Sequence, residues 1–428
     1  MIKRLSAVVT ALFMSLAAGA QTDGTYSGYS PYSVYGVGNL HTPHSWQSGM
    51  GGVGVATRNK RFINTQNPAS VTERDSLSFM ADFALAGRLS LYSEGQSTGY
   101  SSVLNIDNFV ISFPLWRKSA FMVGLKPYSD TGYKISYSYY GDSSTGTRTF
   151  SSVGNGGIYE LFAGGGVTLW NRLSLGAQYS YCFGNISKAA SLSFEDASQH
   201  SLSAGDSLQV HGSSVKFGLQ YEQPFSVKSS LIVGATYRLS NPLRGNAIQY
   251  SYKNGTLNGR EDRPLDKNSG LFLGSELGAG LSFRSADRFS VELDYTLNDW
   301  RNSGMDSMSG FSDKGEAGEF TASMGHGVKA GFELTPSRND IRYYMRRCTY
   351  RAGAYWEQSY YRVDGKSIDS AGITLGITLP VFRGYNGVSV GIDLGQRGFG
   401  GAIVKERYFA FNLSMNVFDI WFQKPRYE

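Results

Sequence analysis

The chain is poor in most of the residues that make a site obvious. Two cysteines in 428 residues, Cys182 and Cys348, lie far apart in sequence. They exclude a disulfide framework and read as free or incidental thiols. Five histidines leave little for metal chemistry. His41 and His44 are three apart, but without a helix or a third ligand a tethering or surface role outweighs coordination. His326 reads as a rim residue or the mark of a local bulge. Past the first residues, no apolar run reaches the ~18 residues of a membrane-crossing helix. Charged residues are 17% of the chain and form no long basic block, which removes the case for nucleic acid. Gly164-Gly165-Gly166 lies on a strand with no helix after it, so no phosphate loop is supported.

What is present is aromatic, glycine-rich and alternating. The chain has 28 Tyr, 25 Phe and 53 Gly against 11 Pro. Lys3 and Arg4, the apolar stretch Leu5 to Ala18, and Ala18-Gly19-Ala20 read as a secretory signal cleaved near Ala20. Residues 1–20 are therefore a signal peptide, 21–75 an N-terminal segment, and 76–428 the remainder. The N-terminal segment centres on Gly49, Gly51, Gly52 and Gly54, followed by Asn67-Pro68-Ala69. Glycines permit compact backbone, and Pro68 keeps Asn67 out of the helical region. The segment suits a small plug inside a barrel; an exposed N-terminal arm is the alternative.

From Leu77 onward the hydrophobic period is two. About fourteen strands follow, with short turns and long polar loops alternating between them. The expected long loops are 89–102, 141–156, 187–210, 239–270, 301–319, 362–369 and 396–406. The 334–347 connection is an exception, long and charged on the short-turn side. Asp82, Lys126, Glu160, Lys216, Arg238, Glu276, Glu292, Asp294, Arg351 and Asp393 all fall opposite the apolar stripe. A Lys or Arg facing mid-bilayer lipid costs roughly 2–4 kcal/mol. The apolar stripe must then face lipid and the charged face a lumen. Trp116, Trp170, Trp300 and Trp356 sit near strand ends, as aromatic girdles do. The fold class expected is all-β: an antiparallel transmembrane β-barrel of about fourteen strands with an N-terminal plug. It belongs in the outer membrane of a Gram-negative cell, in contact with outer-membrane lipid.

Asn67-Pro68-Ala69 after a glycine-rich stretch, followed by about fourteen strands, resembles the outer-membrane FadL family of long-chain fatty-acid and hydrophobic-compound transporters. Ser30-Pro31-Tyr32-Ser33-Val34-Tyr35-Gly36 and the terminal Trp421-Phe422 are similar to FadL-type barrels of the Bacteroidetes. No ligand-contacting residue can be matched individually. The resemblance implies passive uptake of an apolar small molecule through a plugged lumen, with no enzyme activity, cofactor or metal. It also implies a kink in the third strand that opens the wall sideways. Pro127, with Gly124 and Gly132 nearby, marks that place; a break lying above the bilayer is the alternative reading. A second function class stays open: a non-transporting scaffold or accessory subunit of an outer-membrane secretion or assembly complex, with an outer-membrane protein partner.

Overall fold

The computed structural model describes residues 30–420 except 34–35, 39–43, 75–77, 141–145, 196–199, 266–269, 286–287, 308–319, 382–385 and 400–403. The signal peptide, His41 and Trp421-Phe422 lie outside the described residues.

Fourteen strands form one antiparallel wall. They are β1 (Ser78–Glu94), β2 (Ser97–Trp116), β3 (Ser119–Tyr140), β4 (Thr147–Leu169), β5 (Leu173–Phe194), β6 (Leu202–Pro224) and β7 (Ser229–Arg238), followed by β8 (Ser275–Ser285), β9 (Phe289–Asp299), β10 (Met324–Leu334), β11 (Thr349–Val363), β12 (Lys366–Pro380), β13 (Gly387–Arg397) and β14 (Lys405–Ile420). Neighbours in the chain are neighbours in the wall, and Ser78–Ser93 of β1 pairs with Ile420–Lys405 of β14. That last ladder closes the ring.

Side chains sort across this wall by polarity. Leu175, Leu293 and Ile392 are exposed on the outside, while Asp82, Lys126, Glu160, Lys216, Arg238, Glu292, Asp294, Arg351 and Asp393 are buried inside. A water-soluble core would reverse that arrangement. Trp116 and Trp170 are 77% and 82% exposed at the short-turn rim. Tyr179, Tyr181 and Phe183 are exposed toward the other end of β5. The band from Leu173 to Phe183 matches the about 9–11 residues that a tilted strand needs to cross hydrocarbon. Trp356 also faces out, but Trp300 does not. It is 4% exposed and packs on Tyr360 inside, with ring centroids 4.9 Å apart. Its parity is that of Asp294 and Asn298, so alternation rather than proximity to a strand end placed it.

Several expected loops are strands. β3 to β6 run 22, 23, 22 and 23 residues, about twice a membrane crossing. Only two residues separate β1 from β2, and much of 239–270 is a hairpin of Arg244–Lys253 with Thr256–Leu265, paired to the far half of β6. Beyond the bilayer both faces of a strand meet water. The apolar–polar alternation that signals a strand then fades, and the segment reads as a polar loop. In that hairpin Arg260 pairs with Asp262 at 2.9 Å and Arg263 with Glu261 at 2.7 Å, all exposed.

Candidate functional site: the filled lumen and the β2–β3 seam

Residues 44–74 fold as two short 3-10 turns, Ser45–Met50 and Pro68–Thr72, joined by irregular backbone. Gly51 and Gly52 have φ of 68° and 75°, which end the first turn in a conformation most side chains avoid. The second turn starts at Asn67-Pro68. The Asn67 side chain accepts the Ala69 amide at 3.0 Å, and proline occupies the first helical position, where its missing N–H costs nothing.

The segment bonds to inward-facing groups on opposite sides of the barrel. The Ser45 hydroxyl donates to Asp82 on β1 at 2.7 Å. The Gly51 amide donates to Thr374 on β12 at 2.7 Å. The amides of Gly54 and Val55 both donate to Asp294 on β9, at 2.6 and 2.9 Å. Asn67 donates to the Val55 carbonyl at 2.7 Å and is fully buried. Arg351 of β11 pairs with Glu333 at 2.8 Å and lies over the rings of Trp46 and Phe62.

Wall glycines make room for this contact. A Cβ at Gly218 would fall 2.1 Å from Asn67 Oδ1, and one at Gly353 would fall 2.2 Å from the Gly51 nitrogen. Gly49 of the segment and Gly376 of the wall meet in the same way. Nothing in the hydrophobic alternation announces these wall glycines, since glycine fits either face. Asn67→Ala removes a cap and one of two donors to the buried Val55 carbonyl, which keeps the Gln220 amide at 3.0 Å. It should loosen the segment by about 1–2 kcal/mol, read as faster proteolysis between 44 and 74 in an otherwise intact barrel.

What the segment leaves unfilled is polar. A cavity of about 170 Å³ is lined by Lys126, Glu160, Lys216, Arg238, Glu276 and Lys329, among others. Glu160 accepts from Arg238 at 2.9 Å and from Ser180 at 2.6 Å, and Lys126 is 3.8 Å away. Lys216 pairs with Glu276 at 2.9 Å. Nearer the long-strand end, Tyr32, Val37, Ile158, Leu208, Trp300 and Tyr361 belong to an apolar cluster that packs against itself. Among the described residues no group of His, Cys, Asp and Glu is assembled that would hold a metal ion.

The ladder between β2 and β3 stops early. β2 and β3 pair from Trp116–Ser119 up to Phe109–Leu125, and the ladder ends there, although both strands continue. Beyond that point β2 pairs with β1 alone and β3 with β4 alone. Both lips carry a bulge. On β3 the register slips between Pro127 and Ser129, leaving Tyr128 unmatched. On β2 it slips so that Asp107 has no partner on β1. Pro127, which lacks a donor, sits where the ladder has already ended. Gly124 lies within the ladder, opposite Val110. Gly132 lies beyond the ladder, on the part of β3 that pairs with β4.

The N-terminal residues bind both lips. On β3 the Ser30 amide donates to the Gly132 carbonyl at 2.7 Å, and the Gly132 amide donates to Ser33 Oγ at 3.0 Å. On β2 the buried Asp107 accepts the Ser45 amide at 2.8 Å, contacts His44 Nδ1 at 2.7 Å and accepts from Asn412 at 2.8 Å. Ser30 Oγ also donates to the buried Glu406 of β14 at 2.6 Å. His44 is thus a tether. His326 faces outward and contacts the Tyr295 hydroxyl at 2.8 Å. Asp107 shares the outward parity of Phe109 and Ile111 in strict alternation. A carboxylate on a lipid-facing position was the available sign of a bulge, and sequence reasoning passed over it.

Comparison with known proteins places this architecture. The CymD monoaromatic hydrocarbon channel is 16% identical, with 90% of this chain and 97% of that one covered, at a TM-score of 0.54. A Pseudomonas aeruginosa FadL homologue is 11% identical over 90% and 100% of the two chains, at 0.55. The Ralstonia pickettii toluene transporter TbuX is 14% identical over 90% and 99%, at 0.53. At these identities the likeness is one of fold. No curated protein matches the chain. A family model described as BamG matches residues 1–428, and this FadL-like outer-membrane barrel belongs to the BamG family.

Proposed function

We propose that the chain is a plugged, non-conducting outer-membrane barrel that serves an outer-membrane secretion or assembly complex as an accessory or scaffold subunit. The observation that carries this reading is the content of the lumen. Residues 44–74 bond to wall groups on opposite sides, and the space beside them is a charged cavity of about 170 Å³. An apolar solute entering it would have to displace hydrogen-bonded ion pairs without replacing their contacts, which is costly. A barrel without a lumen to use must work through its surfaces. Strands of 22–23 residues, rising well beyond the membrane, supply such surfaces. Fold alone does not select this function. The test is purification from detergent-solubilised membranes. A protein partner at fixed stoichiometry supports the reading, and a barrel that runs alone with bound lipid or hydrocarbon argues against it.

A second reading is passive uptake of apolar, long-chain fatty-acid-like molecules, leaving sideways between β2 and β3. The ladder that stops at Phe109–Leu125 favours it. Ile106 and Leu104 remain exposed on β2 beyond that point, so apolar surface continues alongside the opening. In this reading Pro127 and its neighbouring bulge hold the lips apart, and Gly124 and Gly132 allow β3 to bend. Pro127→Val restores a donor and a residue suited to strands. If the seam is the exit, uptake of a labelled fatty acid into liposomes or cells falls severalfold in Pro127→Val. Unchanged uptake removes the seam from the route.

A further inference from the structure

The connection between β10 and β11 is the one long crossing on the short-turn side, and it is built to project. We infer that this connection and the basic mouth beside it dock an acidic periplasmic protein. The inference rests on the scaffold reading and deepens it.

The projecting part is 341–346, where every residue is exposed. Ile341 is 100% exposed and Met345 55%. Tyr343 and Tyr344 stand beside them. Arg342 and Arg346 flank the Tyr343 ring, 5.4 and 4.8 Å from its centroid, and Arg347 lies 5.0 Å from that of Tyr344. Tyr, Arg and Met are the residues enriched where proteins bind one another, and Tyr and Arg dominate the energetically decisive positions. Ile341 and Met345 stand exposed within this same cluster of tyrosine and arginine.

The tip is held in shape before anything binds. Asp340 accepts the amides of Tyr343 and Arg342 at 2.8 and 2.9 Å. Those amides, Tyr343 first, hold its carboxyl below the usual range, so the cap persists at neutral pH and is lost only as pH falls through that lowered value. The Ser337 amide donates to the Arg346 carbonyl at 2.8 Å, and Tyr344 and Tyr350 donate to the carbonyls of Pro380 and Met345 at 2.9 and 3.0 Å. A preorganised surface loses less entropy on binding.

Charge selects the partner. The tip carries Arg342, Arg346 and Arg347 against Asp340. Basic side chains continue inward: Arg338, Lys60, Arg61 and Arg288 line the lumen mouth beside the carboxylates of Glu292 and Glu333, while Arg58 and Arg284 there are paired with Glu73 and Glu222. A basic rim alone would suit anionic lipid headgroups. A basic mouth lies over the lumen, where bilayer lipid does not reach, so the patch as a whole fits a protein lying beneath the barrel. Opposite charge across such a face speeds encounter and rejects wrong partners.

The test uses the full-length barrel in cells, with a photo-crosslinking amino acid in place of Ile341. The expected product is one discrete protein adduct. Mass spectrometry should identify it and show an Asp/Glu-rich crosslinked peptide. Arg342→Glu/Arg346→Glu should abolish the adduct while the barrel keeps its heat-modifiable mobility on gels. A softer variant, Arg342→Gln/Arg346→Gln, should reduce it and so guards against misfolding. Adducts to lipid alone, an adduct to a basic or uncharged peptide, or an adduct indifferent to charge reversal would overturn the inference. If a stoichiometric partner still co-purifies while Ile341 captures nothing, this surface is wrong and the scaffold reading stands. If no partner co-purifies at all, the scaffold reading itself has failed.

Discussion

A Gly218→Val/Gly353→Val double variant is expected to fold as a barrel and to lose its hold on residues 44–74. Each new side chain begins with a Cβ that would sit just over 2 Å from the segment, 2.1 Å from Asn67 Oδ1 in one case and 2.2 Å from the Gly51 nitrogen in the other. The Gly51 contact is to backbone, and Asn67 Oδ1, although it ends a side chain, is held by the Ala69 amide and has the Pro68 ring 2.8 Å from the same Cβ, so neither yields cheaply. Valine suits a strand, so the wall itself tolerates the change. The segment, tied down by hydrogen bonds each of modest net worth, is the part that moves. A protease added from the short-turn side should cut within 44–74 in the variant and leave the parent intact. Planar bilayers should gain ion conductance that the parent lacks. A variant that stays shut and protected would mean that something other than this segment closes the lumen.

Arg238→Met should be strongly destabilising. Its guanidinium lies 2.9 Å from Glu160, which is 1% exposed, and the next ion-pair contact of that carboxylate, Lys126, is 3.8 Å away. Breaking a buried pair from one side costs about 3–5 kcal/mol, because the other charge stays behind. The expected result is a clearly lower temperature for the folded-to-unfolded mobility shift on gels. Glu160→Gln added to Arg238→Met removes the stranded charge and should recover much of the loss. If the double variant is no better than the single one, the penalty lies in packing around Arg238 and not in the ion pair.

The wall was readable because lipid imposes a simple rule. Phe83, Leu175 and Leu293 had to face out and Asp82, Glu160 and Arg351 in, and alternation assigned each of them. The same rule explains what was lost. Above the bilayer, water on both faces removes the rule, so the far parts of β4 to β6 and the 244–265 hairpin read as loops. At a bulge the parity flips, so Asp107 could be placed only by noticing that its nominal position was untenable. Trp300 carried inward parity in plain view, and its aromatic character pointed the other way. The motif Asn67-Pro68-Ala69 was legible as a turn, but its contacts were not. They depend on Gly218 and on backbone carbonyls of β6 and β7, which have no signature in sequence. Ser30 and Ser33 on Gly132 are of the same kind: pairings between distant stretches that only closure of the barrel brings together.

Whether the lumen is shut tests the foundation of the scaffold reading more directly than any substrate screen. On the proposed reading, in which residues 44–74 plug the interior, purified wild-type protein reconstituted in a planar bilayer should show no steady ion conductance. Sustained, voltage-tolerant channels from the unmodified barrel would contradict the account, and the scaffold proposal would lose its foundation.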